Sequence, residues 1–399
     1  MCESANPARR LCVYVTYNKE HKVKEYMGHM LKSLRKCVTS LYVVCNYPEI
    51  LDGYDYIRPY ADAVFRRENK GFDAGAYKDM ICTLLGWDTI YKYDEIILAN
   101  DSFLGPFYSL NGYFDMMSDV PCDFWGMTRN FGGEYKESII GKYESHVQSY
   151  FVVCRERLLH SSDFRDFWEK FVYPNTYDEA ILYFEHAINH MCRDKGFNAL
   201  ALTDVWGLTF EKDVNPYRAY AFELIRDYKL PLLKKKSIQI HNMGFPNAIK
   251  AVDFIEAENL YPSNLIWEAI DSQFYIENYA PGEANCLEQF CNKFSKIYIY
   301  GAGVCGKNLV LYFEKKGWKL DGILVSDKAE QDIACMAFEE AEIDDETGII
   351  VSVRRKNVSE EIVRYIEKNS NCKREQLFVI YDCKALRVPH TPPPHLTDT

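Results

Sequence analysis

The chain has 399 residues, 48% of them hydrophobic and 26% charged, and a formal net charge of −11. That length holds about two domains, each large enough for a core, and the composition excludes a disordered chain. The acidic balance sets it apart from proteins that grip nucleic acid, which carry positive charge where phosphate is met, so no nucleic-acid partner is expected. The 14 cysteines are scattered singly with no C-x-x-C pair, and Cys45 in LYVVCN and Cys154 in FVVC lie inside apolar runs. They are small buried hydrophobes of a reducing compartment rather than a disulfide frame or zinc site. MCESANPARR at the start has no signal-peptide core, and no apolar run approaches the ~20 residues of a membrane span. A cytoplasmic chain is expected, with peripheral association at the inner face of the plasma membrane left open.

The first 100 residues alternate. LCVYVTYN (11–18) has the pattern of a buried strand, and HKVKEYMGHMLKSLRK (21–36) has helical apolar spacing. SLYVVCN (40–46) and DAVFRREN (62–69) are further strands, YKDMICTLLGW (77–87) a helix, and DEIILAND (94–101) a strand ending in polar residues. This rhythm predicts an α/β fold, a mostly parallel sheet with helices on both faces. Ligands bind such sheets beyond the carboxyl ends of the strands, which places Tyr17, Asn18, Asn46, Asn69 and Asp101 along one rim. RRENKGFDAGAY (66–77) is then a rim loop whose glycines let the backbone approach a ligand.

Beyond the strand CDFWGMT (122–128), HVQSYFVVCRERLL (146–159) and SSDFRDFWEKF (161–171) read as a strand leading into an amphipathic helix. YDEAILYFEHAINHMCRDKGF (177–197) is a longer helix that stops at Gly196. A second βα unit begins at KIYIYGAGVCGKNLVLYFEKKGWKLDGILVSD (296–327), with GIIVSV (348–353) and QLFVIY (376–381) as later strands. The expected divisions are a first domain over 10–290, a second over 291–385, and a proline-rich tail over 386–399 that is disordered.

Asp101, in ILANDSFLGP, stands where a strand ends in a turn holding Gly105 and Pro106. An acid there either caps the next element or holds a divalent cation against the phosphates of a nucleotide. The ordered series NKGFDAGAYKDM, YDEIILANDSFLGPF, HVQSYFVVCRERLL and DFWEKF resembles the bacterial rhamnan synthesis protein F family of glycosyltransferases over roughly residues 10–250. The resemblance implies a GT-A type nucleotide-sugar fold, a donor such as dTDP-L-rhamnose, and a polysaccharide or lipid-linked glycan acceptor. Carried onto this chain, it gives Thr16, Tyr17 and Asn46 a base pocket. Asn69, Gly71 and Asp73 face the nucleoside or donor sugar.

By the same resemblance Asp101 stands where related transferases carry a D-x-D metal motif, with Mg or Mn as the cation. Asn100 and Ser102 flank a single acid here, so they serve as neutral oxygen ligands or leave the phosphates to Lys234, Lys235 and Lys236. An inverting transferase also needs a general base for the acceptor hydroxyl. Glu185, eleven residues before Gly196, takes the position of the second acid of the family's E-D pair, with Asp178 and Glu179 as alternatives. His241 in IQIHNMG is a further candidate metal or phosphate ligand.

YIYGAGVCGKNL carries G-x-G-x-x-G as Gly301, Gly303 and Gly306, directly after a strand, and Asp327 follows at the end of the next strand. This is the context of a Rossmann-like nucleotide fingerprint, with NAD or another nucleotide as the expected ligand. Two other functions stay open: a non-catalytic assembly protein of a polysaccharide-synthesis complex, and an NAD-dependent oxidoreductase centred on the GAGVCG loop.

Overall fold

The computed structural model describes residues 8–18, 21–135, 138–212, 214–238, 245–271, 286–303, 306–307, 309–310, 313–314, 317–326, 333–353 and 356–380. The chain divides into two compact units, one of residues 1–237 with 246–269 and one of 238–245 with 270–399.

The strands of the first unit's main sheet are β1 (Arg10–Thr16), β2 (Ser40–Cys45), β3 (Ala63–Arg66), β4 (Glu95–Asn100), β5 (Phe124–Gly126), β6 (Phe151–Arg155) and β7 (Ala199–Ala201). They form one sheet in the order β7-β5-β6-β4-β1-β2-β3. Only β6 runs antiparallel to its neighbours within this sheet. The fold is the expected mostly parallel α/β arrangement. RLCVYVT and EIILAN are buried almost from end to end, as central strands covered on both faces require.

The chain steps from β1 outward to β2 and β3, then returns past β1 to β4. Right-handed crossovers therefore put α1 (Glu25–Leu34) and α2 (Phe72–Lys78) on opposite faces. The α2 face holds a core in which Ala74, Tyr77, Met80 and Ile81 pack on Leu11, Val13, Val15, Ile96 and Leu98, closed by Trp168 of α3 (Ser162–Glu169).

Two helices depart from expectation. The one predicted over 77–87 starts at Phe72 and turns π-helical over Asp79–Leu85. RRENKGFDAGAY is thus half helix, and Asp73 lies in a first helical turn rather than a loop. The long helix α4 (residues 177–194) passes through a second π-helical turn, Ile181–His186, before stopping at Gly196 with φ +71°. The expected strand over HVQSYFVVC is broken: His146–Val147 pairs with Arg129–Asn130, and β6 begins only at Phe151.

The second unit holds an all-parallel sheet of β8 (Lys296–Tyr300), β9 (Gly322–Val325), β10 (Met336–Ala337), β11 (Thr347–Ser352) and β12 (Leu377–Ile380), in the order β10-β9-β8-β11-β12. Gly306 needs its missing side chain, because a Cβ there would lie 1.6 Å from the Gly301 carbonyl oxygen. Gly303, in contrast, has nothing within 4 Å of that position. Asp327 lies outside the described residues.

Candidate active site

The carboxyl rim of the first sheet gathers most of the predicted residues. Asp101 follows β4, its N–H bonded to Val15 O at 3.0 Å, and its Oδ2 accepts from Thr16 Oγ1 at 3.0 Å. Burial pushes the Asp101 carboxyl above its ordinary range, with the Lys235 charge and the Thr16 hydrogen bond opposing. Next to it, Asn100 Nδ2 donates to Asp73 Oδ2 at 2.5 Å, and Asn100 Oδ1 accepts from Ser102 N at 3.1 Å. Asp73 is also pushed up by burial, against the Asn100 hydrogen bond, and the Glu185 charge adds to the rise.

Lysines reach this rim because Leu233–Lys234 pairs antiparallel with Phe103–Leu104, directly after Asp101. Lys235 is only 6% exposed and donates to Tyr26 OH at 2.7 Å, 4.6 Å above that ring. Lys234 lies 5.2 Å over the Tyr150 ring. The lysine run is therefore no solvated surface at these two positions; the side chain of Lys236 lies outside the described residues. Gly105 permits the approach, since a Cβ there would stand 2.4 Å from Pro231 O.

The residues expected to line a base pocket behave differently from one another. Tyr17 is 43% exposed at the rim. Asn46 is buried with both amide ends engaged, Nδ2 on Phe72 O at 2.9 Å and Oδ1 accepting from Arg67 Nη1 at 2.7 Å. It braces the start of α2. Asn69 keeps a buried Oδ1 with no partner. Gly71 adopts φ +75°, and a Cβ on it would meet Tyr173 Cδ1 at 2.7 Å, while one on Gly75 would meet Lys70 O at 2.3 Å. At both glycines the missing side chain makes room for neighbouring protein atoms.

Around Asp101, the expected cation ligand, Asp73 accepts from Asn100 and from Ala74 N, and both ends of the Asn100 amide are engaged. His241 lies outside the described residues.

Glu185, the expected general base, is surrounded by donors. Its Oε2 accepts from Ser149 N and Oγ, both at 2.7 Å, and its Oε1 lies 3.1 Å from His146 Nε2. Burial raises the carboxyl, but the His146 hydrogen bond and charge, the Lys234 charge and the Ser149 N–H outweigh it and hold it well below the ordinary range. A carboxylate so stabilised is a poor proton acceptor. Asp178 accepts from Ser138 Oγ at 2.6 Å, and Glu179 caps its own helix through Asn175 N at 2.7 Å.

What the sequence reading missed is the partner set of Glu185. His146 and His186 both lie beside it, with ring centroids 4.5 Å apart, and one ligand atom from each of the three residues falls within 4.8 Å of the others. Burial first, then the His146 charge, lowers His186 to about 4. The Glu185-His186 adjacency and the histidine of HVQS were the available signals.

Among the described residues no helix is long and apolar enough to cross a membrane. Virulence protein VirA of Vibrio anguillarum is 23% identical over 281 residues, covering 63% of this chain and 86% of its own. Among solved structures, GlyE, a glycosyltransferase of Streptococcus pneumoniae, is 11% identical over 95% of this chain and 96% of its own, at a TM-score of 0.32. The mannosyltransferase PcManGT of Pyrobaculum calidifontis, in complex with GDP-Man and Mn2+, is 12% identical over 71% and 79%, at 0.29. At such scores these likenesses carry no argument about the site. Residues 41–298 match the family model of rhamnan synthesis protein F, and the chain belongs to that family.

Proposed function

We propose that the chain is an inverting glycosyltransferase that moves a sugar, rhamnose from a dTDP-L-rhamnose type of donor, onto a growing cell-surface polysaccharide. The observation that supports this most, beside the family, is that the charge of buried Lys235 acts on Asp101 at the carboxyl rim of the sheet. A lysine held there supplies fixed positive charge for a donor diphosphate, stabilising the leaving group without reorganisation. Lys234 extends that charge. Asp73, oriented by Asn100, is placed to accept hydrogen bonds from donor hydroxyls.

Asp101 then acts as the proton acceptor rather than as a metal ligand. Its raised proton affinity suits the task, because a general base works best when its pKa lies near the working pH. The acceptor hydroxyl loses its proton to Asp101 as its oxygen attacks the anomeric carbon, and the nucleotide diphosphate leaves with the bonding pair. The reaction belongs at the cytoplasmic face of the membrane, with the acceptor glycan carried there. The second unit is read as a Rossmann-like accessory domain, with the open position beside Gly303 as its nucleotide approach.

The test is thermal shift and nucleotide release from the full chain against dTDP-rhamnose, UDP-glucose, GDP-mannose and NAD. Stabilisation and slow diphosphate release with one donor supports the transferase. No effect from any donor sinks it in favour of the assembly protein, and NAD alone would point to an oxidoreductase. Product anomeric configuration, read by NMR, checks inversion.

A further inference from the structure

His146, Glu185 and His186 make a constellation that sugar transfer as proposed above does not use. His146 Nδ1 lies 2.9 Å from the Glu144 carbonyl oxygen, which only accepts, so Nδ1 carries a proton. In the uncharged ring the lone pair is then on Nε2, aimed at Glu185 Oε1 3.1 Å away. Two lone pairs at that distance repel unless a proton or a cation lies between them. A proton there would satisfy His146 and Glu185 but would leave a third group unanswered. His186 Nε2 is buried with no hydrogen-bond partner, an arrangement that costs about 1–3 kcal/mol when nothing relieves it. One cation shared by all three residues satisfies every one of these atoms.

The surroundings have the form that metal-ligating residues take. A ligating histidine usually donates its other N–H to a carbonyl or carboxylate, as His146 does to Glu144. A ligating carboxylate is usually fixed by further donors, as Glu185 Oε2 is by the Ser149 N–H and hydroxyl. The Tyr143 ring lies 5.7 Å from His146 and 5.5 Å from His186, centroid to centroid, and shields both. The 3.1 Å between the His146 and Glu185 ligand atoms is close to the roughly 3.3 Å expected of neighbours in a tetrahedral site with bonds of about 2.0–2.1 Å. Asn189 Nδ2, donating to Glu185 O at 2.8 Å and Val147 O at 3.0 Å, ties the π-helical turn that carries two of the ligands to the segment that carries the third.

We propose that His146, Glu185 and His186 bind a divalent transition-metal cation of the zinc class. Two imidazoles and one carboxylate select zinc, or iron or nickel in its place, over magnesium, which prefers an all-oxygen shell. Asp101 is not among these three ligands.

The experiment strips the full chain with EDTA, desalts it, and measures uptake of Zn2+, Co2+ and Mg2+ by mass spectrometry together with melting temperature. One zinc per chain, a rise in Tm with zinc, and a cobalt spectrum with visible d–d bands but no thiolate-to-cobalt band are expected. His186→Gln keeps the bulk of the side chain and should weaken zinc binding at least about tenfold, while the stripped variant melts close to the stripped parent. Should His146→Gln fail to fold, Glu185→Gln takes its place, with the same loss expected. No zinc uptake by the parent, unchanged zinc binding in His186→Gln, a thiolate band, or equal uptake of Mg2+ would each overturn the proposal. Metal uptake is read without donor or acceptor, so its failure and that of the transferase reading are distinguishable.

Discussion

The two ends of the seven-stranded sheet treat buried charge in opposite ways. At the end where β1 and β4 begin, Glu95 lies between two arginines, accepting from Arg10 Nε at 2.5 Å and from Arg155 Nε at 3.1 Å. Arg155 also donates to the carbonyls of Met117, Val120 and Cys122, so the cluster is closed on itself. At the carboxyl rim, Asp73 and Asp101 are pushed up by burial, and Asn69 Oδ1 has no partner. One end completes its own hydrogen bonds, and the other holds carboxyls whose charged form burial disfavours. Perturbed carboxyls concentrated at one end of a sheet mark a working site, whereas a satisfied network marks a brace. Strand direction accounts for the asymmetry in position, since loops beyond the carboxyl ends are where a parallel sheet presents side chains to a ligand.

The largest expected effect lies at the brace. Glu95→Ala leaves two partly buried arginines without their carboxylate, and should cost about 3–5 kcal/mol of unfolding free energy in denaturant titration. Transfer per folded molecule should stay near that of the parent. A large drop in specific activity would break the division between the two ends.

Asp101→Ala should do the reverse. Donor turnover falls by about 10²–10⁴-fold, the usual loss of a positioned base, while denaturant stability changes little. Turnover within a few-fold of the parent would remove Asp101 from the chemistry.

Asp73→Ala removes the acceptor that Asn100 orients and should weaken donor affinity by about tenfold, near 1.4 kcal/mol, measured calorimetrically. Unchanged affinity would assign the α2 start to structure alone.

The smallest effect is a gain. Asp101 has its folded proton affinity raised by burial, so its ionised form costs stability at neutral pH. Asp101→Asn can still accept from Thr16 and should melt higher, by about 2–4 °C for each 1 kcal/mol relieved. The sign follows from linkage: the penalty sets in as pH rises through the raised folded pKa, so the variant's advantage fades as pH falls through that value. A variant less stable than the parent at neutral pH would mean that the Lys235 charge outweighs the desolvation of Asp101.

Much of the rim was legible in the linear chain because it depends on local pattern. Apolar runs such as LCVYVTYN and DEIILAND announce buried strands, and the residue that ends each one lies at the carboxyl edge whatever the remainder of the fold does. Tyr17, Asn18, Asn46, Asn69 and Asp101 could therefore be placed along one rim from sequence, and the series of motifs pointed to the family to which the chain belongs. The bounds of α2 were harder to see, since Gly71 and Gly75 read equally as turn formers or as contact points; only Tyr173 and Lys70, standing against them, decide for packing.

Side-chain partnership across the fold was decided by tertiary structure alone. His146 and Glu185 are 39 residues apart, joined because the short strand His146–Val147 and the π-helical turn of α4 bring them face to face. Lys235 reaches the rim only through the pairing of Leu233–Lys234 with Phe103–Leu104. Proton affinity likewise follows from these neighbours: two carboxyls of similar chemistry, Asp101 and Glu185, are shifted in opposite directions because one is buried with too few donors and the other is surrounded by them. Periodicity along a chain records which face of an element is buried; it holds no record of which polar groups meet there, and that is set by the long-range pairings that close the fold.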